Sequence, residues 1–195
     1  MIDQVLTLVV NRLNGHLAGQ FRTSEEIVNL SPLTDVEGKP ADNIRNKLAF
    51  FITNIAQDQM PRGVRGGRGS SLGQVNSVSP VHLDIYVMLA AAHDPDKYVE
   101  GLKQLSMALR FFQAQPVMTP QNTPELPTGL EQLSFEISNL KVEEMGQMWG
   151  NLGGRYVPSV MFKMRFVTID AGVVTGIAPV IRSPQRSAEP AEGGR

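Results

Sequence analysis

The run VHLDIYVMLAAA, Val81–Ala92, sets the tightest limit on the fold. Val81, Leu83, Ile85, Val87 and Leu89 fall on one side of a chain of period two, and His82, Asp84, Tyr86 and Met88 fall on the other. This alternation predicts a long strand with one face toward a core. NKLAFFITNIAQ, rich in β-branched and aromatic residues, predicts a second strand over 47–57. VPSVMFKMRFVTID predicts a third, with Val160, Phe162, Met164 and Phe166 on one face. In LEQLSFEISNL, Leu133, Phe135 and Ile137 alternate against Ser134, Glu136 and Ser138, which marks a half-exposed strand. EEIVNLSPL predicts a short strand that ends at Pro32.

Other segments have the helical period. Ile2, Val5, Leu6, Val9, Leu13 and Leu17 form one apolar stripe, so a helix is expected from the start to Leu17 or Phe21. Asp94 as N-cap and Pro95 at the first helical position open another helix. Its inward stripe is expected to be Tyr98, Leu102, Leu105, Leu109 and Phe112. KVEEMGQMWGNLGG predicts a short helix with Val142, Met145, Trp149 and Leu152 inward and Gly153-Gly154 as its stop. PVMTPQNTPELPTG, with four prolines, predicts an irregular crossing. Strands and helices are interspersed without a strict β-α-β rhythm. The expected class is α+β: a mostly antiparallel sheet of about four strands, covered on one face by helices. Residues 1–181 read as one domain with a flexible Arg/Gly loop at 59–77, and 182–195 as a disordered tail.

A length of 195 residues suits one domain with a sizeable core. A net charge of −1 argues against a surface built wholly for nucleic acid or anionic lipid. The chain has no cysteine, which removes disulfides, thiolate metal sites and cysteine nucleophiles, and leans intracellular. No apolar run approaches the roughly 20 residues that span a bilayer, so no membrane partner is expected. MIDQVLTLVVNRLNG has an acid at Asp3 and no basic leader, and reads as an amphipathic helix, not a signal peptide.

QMPRGVRGGRGSSLGQVNS, 59–77, is the least ordinary stretch. Gly69-Ser70-Ser71-Leu72-Gly73 matches the G-x-S-x-G pattern, but a nucleophile elbow needs a strand before the serine and a helix after it. Here loop precedes Ser71 and a strand follows. Arg62, Arg65 and Arg68 are unopposed by acids from Gln59 to Leu83, yet no aromatic between Ile52 and Ile85 is available to stack a base. A weak nucleic-acid-binding module is the reading of another class, and a basic finger that orders on a protein partner is the preferred one. His82 and Asp84 share a strand face and could share a metal, but two ligands make half a site. His16 and His93 have no evident partners, and Glu143 and Glu144 complement a helix dipole. No phosphate-binding or dinucleotide fingerprint is present. The expectation is a protein that is not an enzyme and takes no cofactor. In AGVVTGIAPVI, Val173, Val174, Ile177, Val180 and Ile181 either complete the chain's own sheet or add a strand to a partner's edge.

The sequence from MIDQVLTLVVNRLNGHL to about Asp170 resembles the Pvc16-type cap, or tube-terminator, family of phage-tail-like extracellular contractile injection systems. The most specific parts are FFQ-x-x-PV-x-TP-x-NTP at Phe111–Pro124 and W-x-x-LG-x-x-Y-x-PS-V at Trp149–Val160. The resemblance implies a structural cap: a homo-oligomer, taken as a hexameric ring, that ends the inner tube and holds the last sheath layer. Its implied partners are the tube and sheath proteins. Its place is the cytoplasm during assembly and then the particle, which can be released. A terminator or head-to-tail adaptor of a true contractile phage is the alternative of the same class. The Arg/Gly stretch departs from the family pattern, and the chain ends soon after the shared region whereas some relatives are longer. Arg62, Arg65 and Arg68, with Val173, Val174 and Ile177, are the candidate partner contacts.

Overall fold

A computed structural model describes residues 1–57, 74–77, 81–153, 156–169 and 174–178. Among them the elements run α1 (Ile2–Phe21), β1 (Val28–Leu30), β2 (Lys47–Gln57), β3 (Gln74–Ser77), β4 (Val81–Ala92), α2 (Tyr98–Ala114), β5 (Val117–Met118), β6 (Gln132–Ile137), α3 (Val142–Asn151), β7 (Ser159–Ile169) and β8 (Val174–Ala178). The chain makes two units: Met1–Gln59 with Pro80–Ile169, and Met60–Ser79 with Asp170–Arg195.

The first unit is α+β. Its six strands form one sheet in the order β1-β2-β4-β7-β6-β5. β1 runs parallel to β2, and every other neighbouring pair is antiparallel. β4 is central, paired along its length with β2 on one edge and β7 on the other. On one face, Ile85, Val87, Leu89 and Ala91 join Leu48, Phe50, Leu133, Phe135, Phe162, Met164 and Phe166 under α1 and α2. From α1 come Val5, Leu6, Val9, Val10, Leu13 and Leu17, so the stripe of period 3.6 does bury against the sheet.

The other face of β4 has its own core, which corrects the expectation of a polar exposed face. Met88 and Ala90 pack with Ala49, Phe51, Met161 and, from α3, Trp149. α3 therefore covers this second face near the Ala92 end of the strand. Within α3, Trp149 is buried, with Met145, Met148 and Leu152 packed beside it, but Val142 stands exposed, against the expected pattern. Gly153, at φ 101°, takes the left-handed turn that closes the helix.

α2 differs from its expected phase. Its buried residues are Gly101, Gln104, Leu105, Ala108, Phe111 and Phe112, while Tyr98 and Leu102 are exposed. The cause is local. A Cβ built on Gly101 would stand 2.7 Å from Nδ1 and 2.8 Å from Cγ of His93, just after β4. Only a glycine lets the helix come this close, and the close approach turns Gly101 and Gln104 inward. Burial holds the His93 pKa below its ordinary value of 6.5, so the ring that fills this contact is the neutral one.

In the second unit, β3 and β8 pair antiparallel as a two-stranded sheet. Val174–Ala178 of the apolar C-terminal segment thus pair with the end of the stretch read as loop.

Gly101→Ala should destabilise the protein by about 1–3 kcal/mol, because overpacking outweighs the roughly 1 kcal/mol that alanine adds in helix propensity. Urea unfolding of Gly101→Ala with and without His93→Ala checks this: the loss should shrink when the imidazole is absent.

Candidate interface surfaces

Three features of the first unit bear on what it can contact: a row of charges around the buried Asp84, two capped edge strands, and shallow grooves.

The charges lie on the α3 face, toward the Val81 end of β4. Arg165 is the register partner of both Asp84 and Ser134, and Lys163 of both Tyr86 and Glu136. Asp84 is only 5% exposed. Its Oδ2 is 2.7 Å from Lys163 Nζ and its Oδ1 is 3.3 Å from Arg165 Nε, while Arg165 Nη1 is 3.3 Å from Glu136 Oε1. The Arg165 Nε contact is an ion pair without hydrogen-bond alignment, since neither atom has a hydrogen-bond partner. Lys163 Nζ also sits 5.8 Å from the centre of the Tyr86 ring. The hydrogen bond to Asp84 holds the Lys163 pKa above its ordinary 10.5. Asp84 is thus committed to two cations across neighbouring strands. The pairing with His82 in a metal site is not tested, because the His82 side chain lies outside the described residues. The signal was present in the sequence, because Lys163 and Arg165 alternate onto the polar face of their strand.

The short edge strands β1 and β5 are each capped by an asparagine. At β1, Asn14 of α1 accepts from Ile27 N and Val28 N at 3.0 and 2.8 Å and donates to Val28 O at 2.8 Å. At β5, Asn122 donates to Val117 O at 3.0 Å and accepts from Thr119 N at 2.8 Å. Each side-chain amide occupies a donor and an acceptor that an added strand would use. The longer β2 has a register shift between Ile52 and Asn54, a bulge at Thr53 where Thr53 Oγ1 donates to Tyr86 O. Bulges discourage edge pairing. Sequence reasoning missed both asparagines, because nothing local distinguishes them from loop or helix-surface residues.

A groove of about 580 Å³ lies between α1 and the end of α2, lined by Arg12, His16, Phe111, Gln115 and Asn122. Arg12 is spent on Glu125 at 3.3 Å, and His16 packs against the Phe111 ring at 5.4 Å between centroids. A second groove of about 640 Å³ runs past Leu6, Leu30, Pro32, Leu33 and Phe51. Among the described residues, neither brings a nucleophile to a base. Among the described residues, no group of three or more His, Cys, Asp or Glu could hold a metal ion, and no helix is long and apolar enough to cross a membrane. Arg62, Arg65, Arg68, Ser71 and Val173 lie outside the described residues. Val174 and Ile177 are in β8, opposite Ser77 and Val75.

The Pvc16 N-terminal domain model matches residues 4–183. The chain belongs to this family. Among solved structures, the fold is similar to the PVC sheath/tube terminator of an extracellular contractile injection system in its extended state. That likeness has a TM-score of 0.58 and 14% identity, over 100% of this chain and 65% of that one. The tube-terminating cap of the anti-feeding prophage is similar at TM-score 0.45 and 15% identity, over 92% of this chain and 60% of that one. The chain spans less than two thirds of the length of either protein. No curated protein sequence matches it. At 14% identity the terminator likeness establishes the fold, which agrees with the family that the sequence resembles over Met1–Asp170.

For this Pvc16 N-terminal domain, the buried charges make a direct test. Asp84→Ala should cost about 1–3 kcal/mol, because Lys163 would lose its carboxylate partner while Arg165 keeps Glu136. The sign of the pH effect follows from Lys163. Its raised pKa contributes stability that is full below 10.5 and is lost as the pH rises through the folded value. Urea unfolding on either side of that range should show the alkaline loss in the unmodified chain and little of it in Asp84→Ala.

Proposed function

We propose that the chain is a structural cap that terminates the inner tube and holds the last sheath layer of a contractile injection particle. The observation that carries this reading is the family match over residues 4–183, joined to a fold similar to that of a sheath/tube terminator. The capped edge strands of the first unit support it. A tube grows by stacking identical rings, so its terminator must fit the last ring on one side and present no equivalent face on the other. Asn14 and Asn122 obstruct strand addition at β1 and β5, which favours contacts through helices and loops. The job is one of shape and needs no catalysis or cofactor.

In this reading the chain works as a hexameric ring, assembles with tube and sheath in the cytoplasm and stays in the finished particle. Arg62, Arg65 and Arg68 form a basic finger toward tube or sheath. The segment of Val173, Val174 and Ile177 contacts a sheath subunit. Its pairing with β3 supports a small element built for docking, because a two-stranded sheet is marginal in water by itself.

Particles assembled without this chain should have tubes of uncontrolled length by electron microscopy, and a normal length distribution would overturn the reading. Arg62→Ala with Arg65→Ala and Arg68→Ala should weaken co-purification of the cap with sheathed tubes while leaving its melting temperature unchanged. Unaltered co-purification removes the basic finger from the proposal.

A further inference from the structure

The contact that sets the phase of α2 also buries a titratable ring without hydrogen bonds. Among the described residues, neither Nδ1 nor Nε2 of His93 has a partner, although both atoms are buried, and the same is true of Oε1 of Gln104. A neutral imidazole carries one donor and one acceptor. The ring is therefore held by packing against Gly101 and by no hydrogen bond. Unmade bonds of this kind in a native structure call for an explanation.

The backbone beneath the ring is firmly fixed. Asn46 ties the start of β2 to the end of β4: its N–H donates to Ala92 O at 2.9 Å, its Oδ1 accepts from Asp94 N at 3.0 Å, and its Nδ2 donates to Asp94 Oδ2 at 3.1 Å. The movable partner is α2, whose two halves are held differently. Ala108, Phe111 and Phe112 fix the second half in the larger core. The first half gives that core only Leu105, with Gly101 and Gln104 turned toward His93, while Tyr98, Val99 and Leu102 are exposed.

A cation at this ring is poorly placed. It would lie against the first turn of α2, where the helix dipole is positive, and near Lys97 in the turn before it. Glu100 and Asp94 act the other way. Asp94, however, already pairs with Arg45 Nε at 3.0 Å, and Glu100 Oε1 accepts from Gln104 Nε2 at 3.5 Å. Gln104 Oε1 is one acceptor, whereas an imidazolium has two donors. Burial outweighs these aids and keeps the ring's pKa below 6.5. Lifting the first half of α2 exposes the ring to water, where it takes a proton at its ordinary pKa. The closed arrangement is therefore at full strength above 6.5 and weakens as the pH falls toward the folded value.

We propose that His93 is an acid-sensitive latch: its neutral ring holds the first half of α2, residues 98–105, on the end of β4, and protonation of the ring releases that half while the second half stays packed. The latch is a property of the folded chain and does not rest on the capping role.

Hydrogen exchange of the full chain tests this, followed by mass spectrometry at pH 7.5 and pH 5 and corrected for the intrinsic effect of pH on amide exchange. Opening of residues 98–105 should rise on acidification. A released ring with a pKa of about 6.5 sets a ceiling of about 30-fold on the rise, and more than about twofold is expected. Residues 108–114 and α1 should not share it. His93→Phe keeps a ring, removes the titration and should abolish the acid effect. His16, against Phe111 in the second half of α2, stays in place in that variant and serves as an internal control. Where His93→Phe fails to fold, His93→Asn is read in the same way. The latch is overturned by a rise below about twofold in the unmodified chain, by an equal rise in the variant, or by a rise that α1 shares equally, which is general unfolding.

Discussion

β4 is hydrogen-bonded along both edges and, from Val87 to Ala91, buried on both faces. A strand placed in this way cannot be satisfied by one layer of helices. Its odd-numbered side chains need α1 and α2, and its even-numbered ones need α3 and the segment around Ile44. The order of the chain supplies both covers. α2 follows β4 directly and returns over one face, while α3, inserted between β6 and β7, crosses the other. Trp149 is the reason that so short a helix is enough: one large buried ring closes the gap over Phe51, Met88 and Met161.

A sheet built outward from such a centre still ends somewhere, and its last strands are short. β1 has three residues and β5 two. Strands of this length contribute few ladder hydrogen bonds, and their outer backbone groups would stay available to any extended segment. In both cases a side-chain amide from outside the strand makes a donor and an acceptor contact with the outer backbone. The amides come from unrelated places, α1 and the loop after β5, so the likeness is one of function. An amide suits the task because it carries a donor and an acceptor side by side, as a peptide does.

The strands were legible in the sequence where the period of two ran long. β2 falls where the composition of 47–57 placed it, and Phe162, Met164 and Phe166 face the core that their alternation implied. α1 was equally plain, since its stripe has no competing face. α2 was not, because apolar residues occupy two adjacent stripes, Tyr98-Leu102-Leu105-Leu109 and Leu105-Ala108-Phe111-Phe112. Side-chain size favoured the first; the close approach at Gly101, which depends on where His93 lies in three dimensions, selected the second. The parallel pairing of β1 with β2 and the roles of Asn14 and Asn122 were also out of reach, since each is a contact between distant parts of the chain. Of the candidate partner contacts, Arg62, Arg65, Arg68 and Val173 fall outside the described residues, and Val174 and Ile177 are placed only by their strand.

The buried charges have an account that does not depend on net stability. An ion pair taken out of water returns little more than its desolvation costs, so Asp84, Lys163 and Arg165 are not there simply to strengthen the sheet. Register is the better explanation. Toward Ala92 both faces of β4 are apolar, and Met88 or Leu89 could exchange sides with little penalty from hydrophobicity alone. Toward Val81 no such exchange is possible. A one-residue slip would turn Asp84 into the core of Ile85, Phe162 and Phe166, and a slip of β7 would drive Lys163 and Arg165 there without their carboxylate. The charges therefore fix the alignment of the central strands, which the apolar half leaves open, and with it the side of the sheet on which each helix must lie.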